Sequence, residues 1–193
     1  MSTITIEPAT SDRFDDVQHA FDGGGDGRGC QCQWFTLTNA EFSRTSQPER
    51  RELFEREIAA GPPPGFVAYV DGEAAGWVRV GPRTRQPRLG RTRIIKAATQ
   101  EPLDDDSVWV VSCFVVRREH RSAGLTAKLL DVAVDYARRQ GARAIEGYPV
   151  DVAAGAKSPN DLFHGVLSTF TGAGFREIAR PKPDRPIVAL ELA

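Results

Sequence analysis

This sequence has few cysteines and almost no net charge. The chain of 193 residues has three cysteines, which are too few for a framework of disulfide bonds and, being odd in number, cannot all pair within the chain. Its 25 lysines and arginines balance 26 aspartates and glutamates, and the net charge of −1 offers no broad attraction to nucleic acid or to an anionic membrane. We therefore expect a protein of the reducing cytoplasm with no nucleic-acid partner and no membrane partner.

Long apolar runs and a targeting segment are also missing. Nowhere do about 18 apolar residues follow one another, as a membrane-spanning helix requires. The first residues lack the basic region and apolar core of a secretory signal. Hydrophobic residues make up 40% of the chain and charged residues 26%, which is ordinary for a globular protein and excludes a disordered or coiled-coil chain. The length predicts one domain over residues 1–193.

The amino-terminal part alternates strand and helix patterns. Thr3–Glu7 alternates β-branched and polar residues and predicts a strand, and Ser11–Asp22 predicts a helix. Gly23–Gly29 is rich in glycine, whose ordering costs backbone entropy, and is predicted as a mobile loop. Ser46 and Glu49 form a capping box that predicts the start of a further helix.

The middle of the chain predicts a hairpin followed by a basic segment. Asp71-Gly72 supplies the positive φ angles of a tight turn between two strands. Gly81–Lys96 then carries six basic residues without an acid, and an acidic run follows. Such blocks most often form a solvated loop whose charges neutralise one another. The alternative is a contact with an anionic acceptor or phosphate, because arginine binds carboxylates and phosphates in pairs of hydrogen bonds.

The carboxy-terminal part predicts a strand, a helix and a parallel strand. Ser107–Val116 is a nearly continuous apolar run, typical of a central strand buried on both faces. Leu125–Gln140 has apolar residues at helical spacing, and Ala144–Val150 predicts the parallel strand. A helix from Asn160 or Asp161 through Thr171 and a closing hairpin follow. The whole predicts an α/β (α+β) fold with a mixed central sheet of about seven strands and helices on both faces.

The turn between the central strand and its helix carries the clearest functional signal. It reads Arg121-Ser122-Ala123-Gly124-Leu125-Thr126. Its small residues let a ligand approach, and the first N–H groups of the helix point outward with the positive end of the helix dipole, as a pyrophosphate requires. The alternative is a turn that needs small residues for packing alone. The segment resembles the Q/R-x-x-G-x-G/A signature of the GNAT superfamily of N-acetyltransferases, with Thr126 in place of the usual small residue.

The resemblance implies acetyl-CoA as the co-substrate. Its pantetheine arm would pair with main-chain groups around Val115 and Val116, in a gap between the fourth and fifth strands. Its pyrophosphate would rest on the turn, that is on Arg121, Ser122, Ala123, Gly124, Leu125 and Thr126. The implied function is transfer of an acetyl group to a primary amine of a small molecule or a protein. The alternative is a non-catalytic acyl-CoA-binding module, because Phe170 occupies the position where many members carry a tyrosine acid.

Two residues on the fifth predicted strand are candidates for catalysis. Glu146 and Tyr148 alternate on one face of the strand, beside the expected gap. A carboxylate at this place could act as a general base through a water, and we predict these two as catalytic residues. The structural alternative is a buried glutamate bonded to its surroundings and a tyrosine that anchors the sheet.

The cysteines allow several interpretations. Cys113 could carry an acetyl group, but free cysteine is among the most buried residue types, and an inert role is favoured. Cys30 and Cys32 could form a metal or redox pair. Because no histidine has a spacing that would complete a tetrahedral site, we expect no metal and assign both to a hydrophobic wall near the acceptor. The acceptor should be negatively charged if the arginines of Gly81–Lys96 face the cleft, and the sequence is compatible with a homodimer.

Overall fold

One mixed sheet of seven strands is the centre of this computed structural model, which describes residues 2–23, 25–121, 123–155 and 159–192. The strands are β1 (Ile4–Pro8), β2 (Gly65–Val70), β3 (Glu73–Pro82), β4 (Val108–Val116), β5 (Ala144–Gly147), β6 (Arg176–Lys182) and β7 (Arg185–Glu191). They lie in the order β1-β2-β3-β4-β5-β7-β6. The pair β4 and β5 is parallel, and the other pairs are antiparallel. The expected α/β (α+β) fold with about seven strands is confirmed.

Helices cover both faces of the sheet, as expected. They are α1 (Phe14–Asp22), α2 (Gly27–Cys30), α3 (Asn39–Arg44), α4 (Gln47–Ala60), α5 (Pro87–Arg91), α6 (Arg93–Ala98), α7 (Leu125–Arg139) and α8 (Leu167–Gly172). Apolar residues of α1 and α4 pack with β2 and β3 in one buried cluster, and those of α7 pack on the same strands in another. No helix in the part of the chain that the structure describes is long and apolar enough to span a bilayer.

Two segments predicted as loops contain helices. Within Gly23–Gly29, the helical turn α2 begins at Gly27. The basic segment Gly81–Lys96 contains α5 and the first part of α6. It is packed against the fold and not solvated, because Arg83 and Arg88 are buried and donate hydrogen bonds to groups in the interior. The last predicted helix is interrupted as well. Gly165, with φ of 79°, separates a 3-10 segment at Pro159–His164 from α8.

The strands β4 and β5 separate before β4 ends. They pair from Val108 with Ala144 to Val111 with Gly147, where β5 stops while β4 continues to Val116. The register of β4 with β3 shifts at the same place, which leaves Ser112 as the extra residue of a β-bulge. The predicted gap between the fourth and fifth strands is therefore present, and it positions the site.

Candidate functional site

A cavity of about 760 Å³ lies beside the end of β4. The first stretch of its lining is the end of β4 with the turn into α7, namely Cys113, Phe114, Val115, Val116, Arg121 and Thr126. The second runs from α1 to α4 and contains Phe21, Gly25, Asp26, Gly27, Gly29, Cys30, Cys32, Trp34, Phe35, Phe42 and Arg50. The third surrounds the start of α8 and contains Leu162, Phe163, His164, Gly165, Val166, Thr169 and Arg185. The cavity thus joins the predicted phosphate turn to three cysteines and a group of aromatic side chains.

The turn into α7 has the geometry of an anion cradle. Gly124 has φ of 72°, a left-handed conformation that glycine adopts without strain. Among the described residues no side chain caps α7, so its first N–H groups are available to a ligand. A Cβ placed on Gly124 would meet no atom of the described residues within 4 Å, so the space above the turn is open on their side. Arg121 donates from Nε to the carbonyl oxygen of Val116 over 3.3 Å and holds the turn against β4.

The predicted cofactor residues fall into three groups. Val115, Val116, Arg121 and Thr126 line the cavity. The same turn contains Ala123, Gly124 and Leu125, whose contribution would be their main chain, since the Leu125 side chain is buried in the core under α7. Ser122 lies outside the described residues.

The predicted catalytic pair is placed elsewhere. Neither Glu146 nor Tyr148 lines the cavity. The carboxylate of Glu146 is fully buried and accepts hydrogen bonds from Arg83 Nη1 at 2.8 Å, Thr99 Oγ1 at 2.7 Å and Tyr148 OH at 2.7 Å. Burial and the adjacent Glu146 carboxylate raise the pKa of Tyr148, which keeps its hydroxyl protonated as a donor. These contacts match the structural alternative, a buried glutamate and an anchoring tyrosine, and the catalytic role of both residues stays a prediction that the geometry does not support.

The arginines of Gly81–Lys96 that are buried are used inside the fold. Besides its bond to Glu146, Arg83 donates to the carbonyl oxygens of Glu101 and Pro102. The guanidinium of Arg88 lies 3.8 Å from the centre of the Trp34 ring, and its Nε donates to the carbonyl oxygen of Leu37 over 3.1 Å. Neither arginine lines the cavity. The expectation of an anionic acceptor bound by this segment therefore finds no support in the structure.

Cys32 occupies a polar niche in the cavity wall. Its sulfur accepts a hydrogen bond from Trp77 Nε1 over 3.2 Å. The buried Arg79, which is ion-paired with Glu57, donates from Nη1 to the Cys32 carbonyl oxygen over 3.1 Å. Burial alone would raise the pKa of the Cys32 thiol, but the neighbouring Cys113 thiol, the charge and hydrogen bond of Arg79, and the bond from Trp77 hold it below its usual value.

The other two thiols behave in the opposite way. Burial and the neighbouring Cys32 raise the pKa of Cys30 to about 11. The neighbouring Cys32 thiol and burial raise the pKa of Cys113 as well. Among the three cysteines, Cys32 is therefore the one whose surroundings lower the thiol pKa.

In the part of the chain that the structure describes, Cys30 and Cys32 belong to no group of three or more metal-ligating side chains. Among the described residues, the one trio of His, Cys, Asp or Glu side chains close enough to share a metal ion is Glu73, Glu119 and His120. It lies away from the cavity lining, and both glutamates are ion-paired with Arg117.

Comparison with known families decides the assignment. Residues 32–154, more than half of the chain, match the model of the Acetyltransferase (GNAT) family. The chain belongs to the GNAT acetyltransferase family. No significant match was found among curated protein sequences.

Solved structures with the same fold include several acetyltransferases. The Salmonella typhimurium protein yncA, solved with its cofactor acetyl-CoA, is 16% identical with a TM-score of 0.58, over 98% of this chain and 94% of that chain. The N-acetyltransferase from Staphylococcus aureus Mu50 is 15% identical with a TM-score of 0.57, over 100% of both chains. The ribosomal-protein-S18-alanine N-acetyltransferase from Escherichia coli is 12% identical with a TM-score of 0.51, over 99% of this chain and 95% of that chain. At these identities the likeness shows the fold.

The residues of this GNAT protein fit the acetyl-CoA that the family uses. Beyond Val111, no strand of the described residues pairs with the β5 side of β4, so main-chain groups there can pair with a pantetheine arm. The uncapped first turn of α7 can hold the pyrophosphate, and the cavity connects the two. When bound, acetyl-CoA supplies the activated acetyl thioester.

Sequence reasoning missed two side chains that shape this GNAT site, Trp77 and Arg79. A signal was available, because residues two apart on a strand share a face, and a buried Trp77 therefore places Arg79 on the same inner face. A buried charged side chain on that face needs a partner, and it finds Glu57 on α4.

Proposed function

We propose that this protein transfers the acetyl group of acetyl-CoA to the primary amine of a small molecule with an apolar or aromatic body. The observation that carries the proposal is the continuous cavity that runs from the uncapped turn of α7 to an aromatic wall. The proposal assigns the phosphates to the turn Arg121–Thr126 and the pantetheine arm to Val115 and Val116.

The acceptor side of the cavity supports the choice of amine. Four aromatic side chains, Phe21, Trp34, Phe35 and Phe42, contribute to its wall. The Trp34 side chain is 41% exposed, although Phe42 packs edge-on against it at 5.0 Å between ring centres. An exposed aromatic face of this kind suits an apolar acceptor body.

An acidic group also reaches this side of the cavity. Asp26, on the glycine-rich segment, is the acidic member of the described lining. A carboxylate there would favour an approaching ammonium group and help to orient it before it loses a proton. Because Arg50 and Arg185 line the same cavity, the proposal gives the rest of the acceptor no charge. The acceptor that fits these groups is an amine on an apolar frame, which replaces the negatively charged acceptor expected from the basic segment.

Phe170 favours a second candidate, an acyl-CoA-binding module without catalysis. A phenylalanine has no proton to give to a departing thiolate, and the Phe170 ring is completely buried between Phe114 and Phe175. Transfer remains the better-supported function because the chain belongs to the GNAT acetyltransferase family and has a cavity that reaches from the α7 turn to the aromatic wall.

A transfer assay separates the two candidates. Purified protein is incubated with acetyl-CoA and a panel of aromatic, aliphatic and peptide amines, and both CoA release and acetylated product are measured by mass spectrometry. We expect product from an apolar or aromatic amine and none from the Gly124→Glu variant. Binding of CoA without any acetylated amine would support the non-catalytic module, and product from peptides alone would replace the small-molecule acceptor with a protein.

A further inference from the structure

We propose that Glu73, Glu119 and His120 bind a divalent transition-metal ion, of which zinc is the best fit, at the surface of this protein. One donor atom from each side chain lies within 4.8 Å of the other two. The site is separate from the proposed acetyl transfer, because none of the three residues lines the cavity.

The fold brings the three side chains together from separate parts of the chain. Glu119 and His120 belong to the 3-10 turn that follows β4, and Glu73 is the first residue of β3. The amide of Arg117 donates to the carbonyl oxygen of Ala75 over 3.0 Å, which holds this turn beside the start of β3. The site therefore depends on the folded protein, and no local spacing in the sequence reveals it.

The imidazole of His120 has an unused nitrogen. Its Nε2 is buried and has no hydrogen-bond partner among the described residues. A buried polar atom rarely stays without a partner in a folded protein, and a bound ion is one way to provide the partner. An imidazole nitrogen together with two carboxylates suits zinc, whereas magnesium and calcium prefer oxygen ligands alone.

Each carboxylate is oriented by a partner on one of its oxygens. Glu73 Oε1 lies 3.0 Å from Nε2 of His19, which is on α1. Glu119 Oε1 accepts a hydrogen bond from Arg117 Nε over 2.7 Å. Hydrogen bonds of this kind orient the ligands of metal sites. They leave the second oxygen of each carboxylate to bind the ion.

The charges at the site also favour a cation. The two carboxylates share the guanidinium of Arg117, whose Nη2 lies 2.5 Å from Glu119 Oε1 and 3.9 Å from Glu73 Oε1. One negative charge is left over. Arg117 has anchors besides the glutamates, because its Nη1 donates to the carbonyl oxygen of His19 over 2.7 Å and its Cγ would lie 2.1 Å from a Cβ on Gly23. A metal ion can therefore bind the glutamates without releasing the arginine.

The donors are close to the separations that zinc requires. Bonds from zinc to histidine nitrogen and carboxylate oxygen are about 2.0–2.2 Å long, so donors on one ion lie about 3–4 Å apart. Both glutamates are exposed, and their side chains can move by the remaining distance. A water would complete the tetrahedral coordination.

Calorimetry on protein freed of its affinity tag tests the affinity. The protein is stripped with a chelator and titrated with zinc chloride, and we expect one ion per chain. Glu119→Gln and His120→Asn should each weaken zinc binding about tenfold or more, because each removes a ligand. Glu52→Gln, at an exposed position on α4, is the matched control and should bind zinc as the wild type does. Circular dichroism and melting temperatures confirm that every variant folds.

Cobalt spectroscopy and anomalous diffraction test the position of the ion. Cobalt in place of zinc should give the absorption of nitrogen and oxygen ligands, without the sulfur-to-cobalt band that a cysteine ligand produces. A crystal soaked in zinc chloride should show an anomalous peak between Glu73, Glu119 and His120. Cys30→Ser should leave zinc affinity unchanged, since the cysteines take no part.

Three results would overturn the metal site. The first is a wild-type protein that binds no stoichiometric zinc. The second is zinc affinity that stays at the wild-type value in both Glu119→Gln and His120→Asn. The third is an anomalous peak beside the cysteines or at another surface, with none at the proposed position. None of these results bears on acetyl transfer, which the amine panel tests by itself.

Discussion

Arg83 Nη1 lies 2.8 Å from Glu146 Oε2 in the interior of the protein, where both side chains are almost completely buried. The pair joins the segment that follows β3 to the middle of β5. Thr99 and Tyr148 donate to the same carboxylate, so its oxygens are satisfied without water. This network explains why a basic segment that resembles a solvated loop is packed, and why a carboxylate stands in an apolar strand.

Removing one partner of this ion pair should destabilise the fold. Glu146→Ala leaves the Arg83 guanidinium buried without its counter-ion, and we expect the free energy of unfolding to fall by about 3–5 kcal/mol. Denaturant unfolding measures the change. The double variant Arg83→Met with Glu146→Leu should lose less, because it buries no unpaired charge. A Glu146→Gln protein that is as stable as the wild type but has lost transfer would restore the catalytic assignment.

An acidic side chain in the turn before α7 should lower the affinity for CoA. Gly124→Glu places a carboxylate in the free space where the phosphates would lie, and we expect the affinity for CoA to fall about tenfold or more through charge repulsion. Gly141→Glu is a matched control at the other end of α7, since Gly141 also has positive φ, 79°, and open space around it. Each variant should lose about 1 kcal/mol of stability from backbone strain. Equal CoA affinity in the two variants, measured by calorimetry, would show that the phosphates do not bind at the turn.

The aromatic wall should control the acceptor and not the co-substrate. Trp34→Ala removes the most exposed ring of the cavity, and we expect KM for an apolar amine to rise about tenfold while CoA affinity stays unchanged. Val152→Ala is the control, because Val152 is also a large exposed hydrophobic residue but does not line the cavity. Steady-state kinetics with each substrate varied in turn decide the matter, and an unchanged amine KM would contradict the acceptor assignment.

His164 should make the fold sensitive to acid. Burial of its ring and the nearby charge of Arg185 lower the pKa of His164 from 6.5 to about 3. The unfolded chain therefore binds a proton between pH 6.5 and 3 that the folded protein does not bind, so this stability is present above pH 6.5 and is lost as the pH falls towards 3.

Comparison of two histidine variants isolates this effect. His164→Phe keeps a ring beside Phe163, 3.9 Å away between centres, and should flatten the decline in unfolding free energy between pH 7 and pH 4. His19→Gln, at the exposed surface, should leave the decline as it is. A His164→Phe protein with the same decline as the wild type would show that His164 is accessible to protons in the fold.

Local patterns predicted the elements that carry the cofactor turn. The apolar run of β4, the helical spacing of α7 and Gly124 between them are properties of neighbouring residues, and all three appear where the sequence places them. The same holds for the Ser46–Glu49 capping box, which starts α4.

Contacts between distant residues could not be found in this way. Arg83 and Glu146 are 63 positions apart, and Trp77 and Cys32 are 45 apart. Charge pattern alone assigned Arg83 to a loop, and strand alternation alone assigned Glu146 to the gap. Which partner a buried charge meets depends on the packing of whole elements, and a single sequence does not encode that packing in any local spacing.

A crystal structure with acetyl-CoA bound tests the central claim most directly. The account predicts electron density for the pyrophosphate against the first N–H groups of α7, for the pantetheine arm along Val115 and Val116, and for the thioester carbonyl within the cavity beside β4. Density for acetyl-CoA at another surface, with the cavity beside β4 empty, would contradict it.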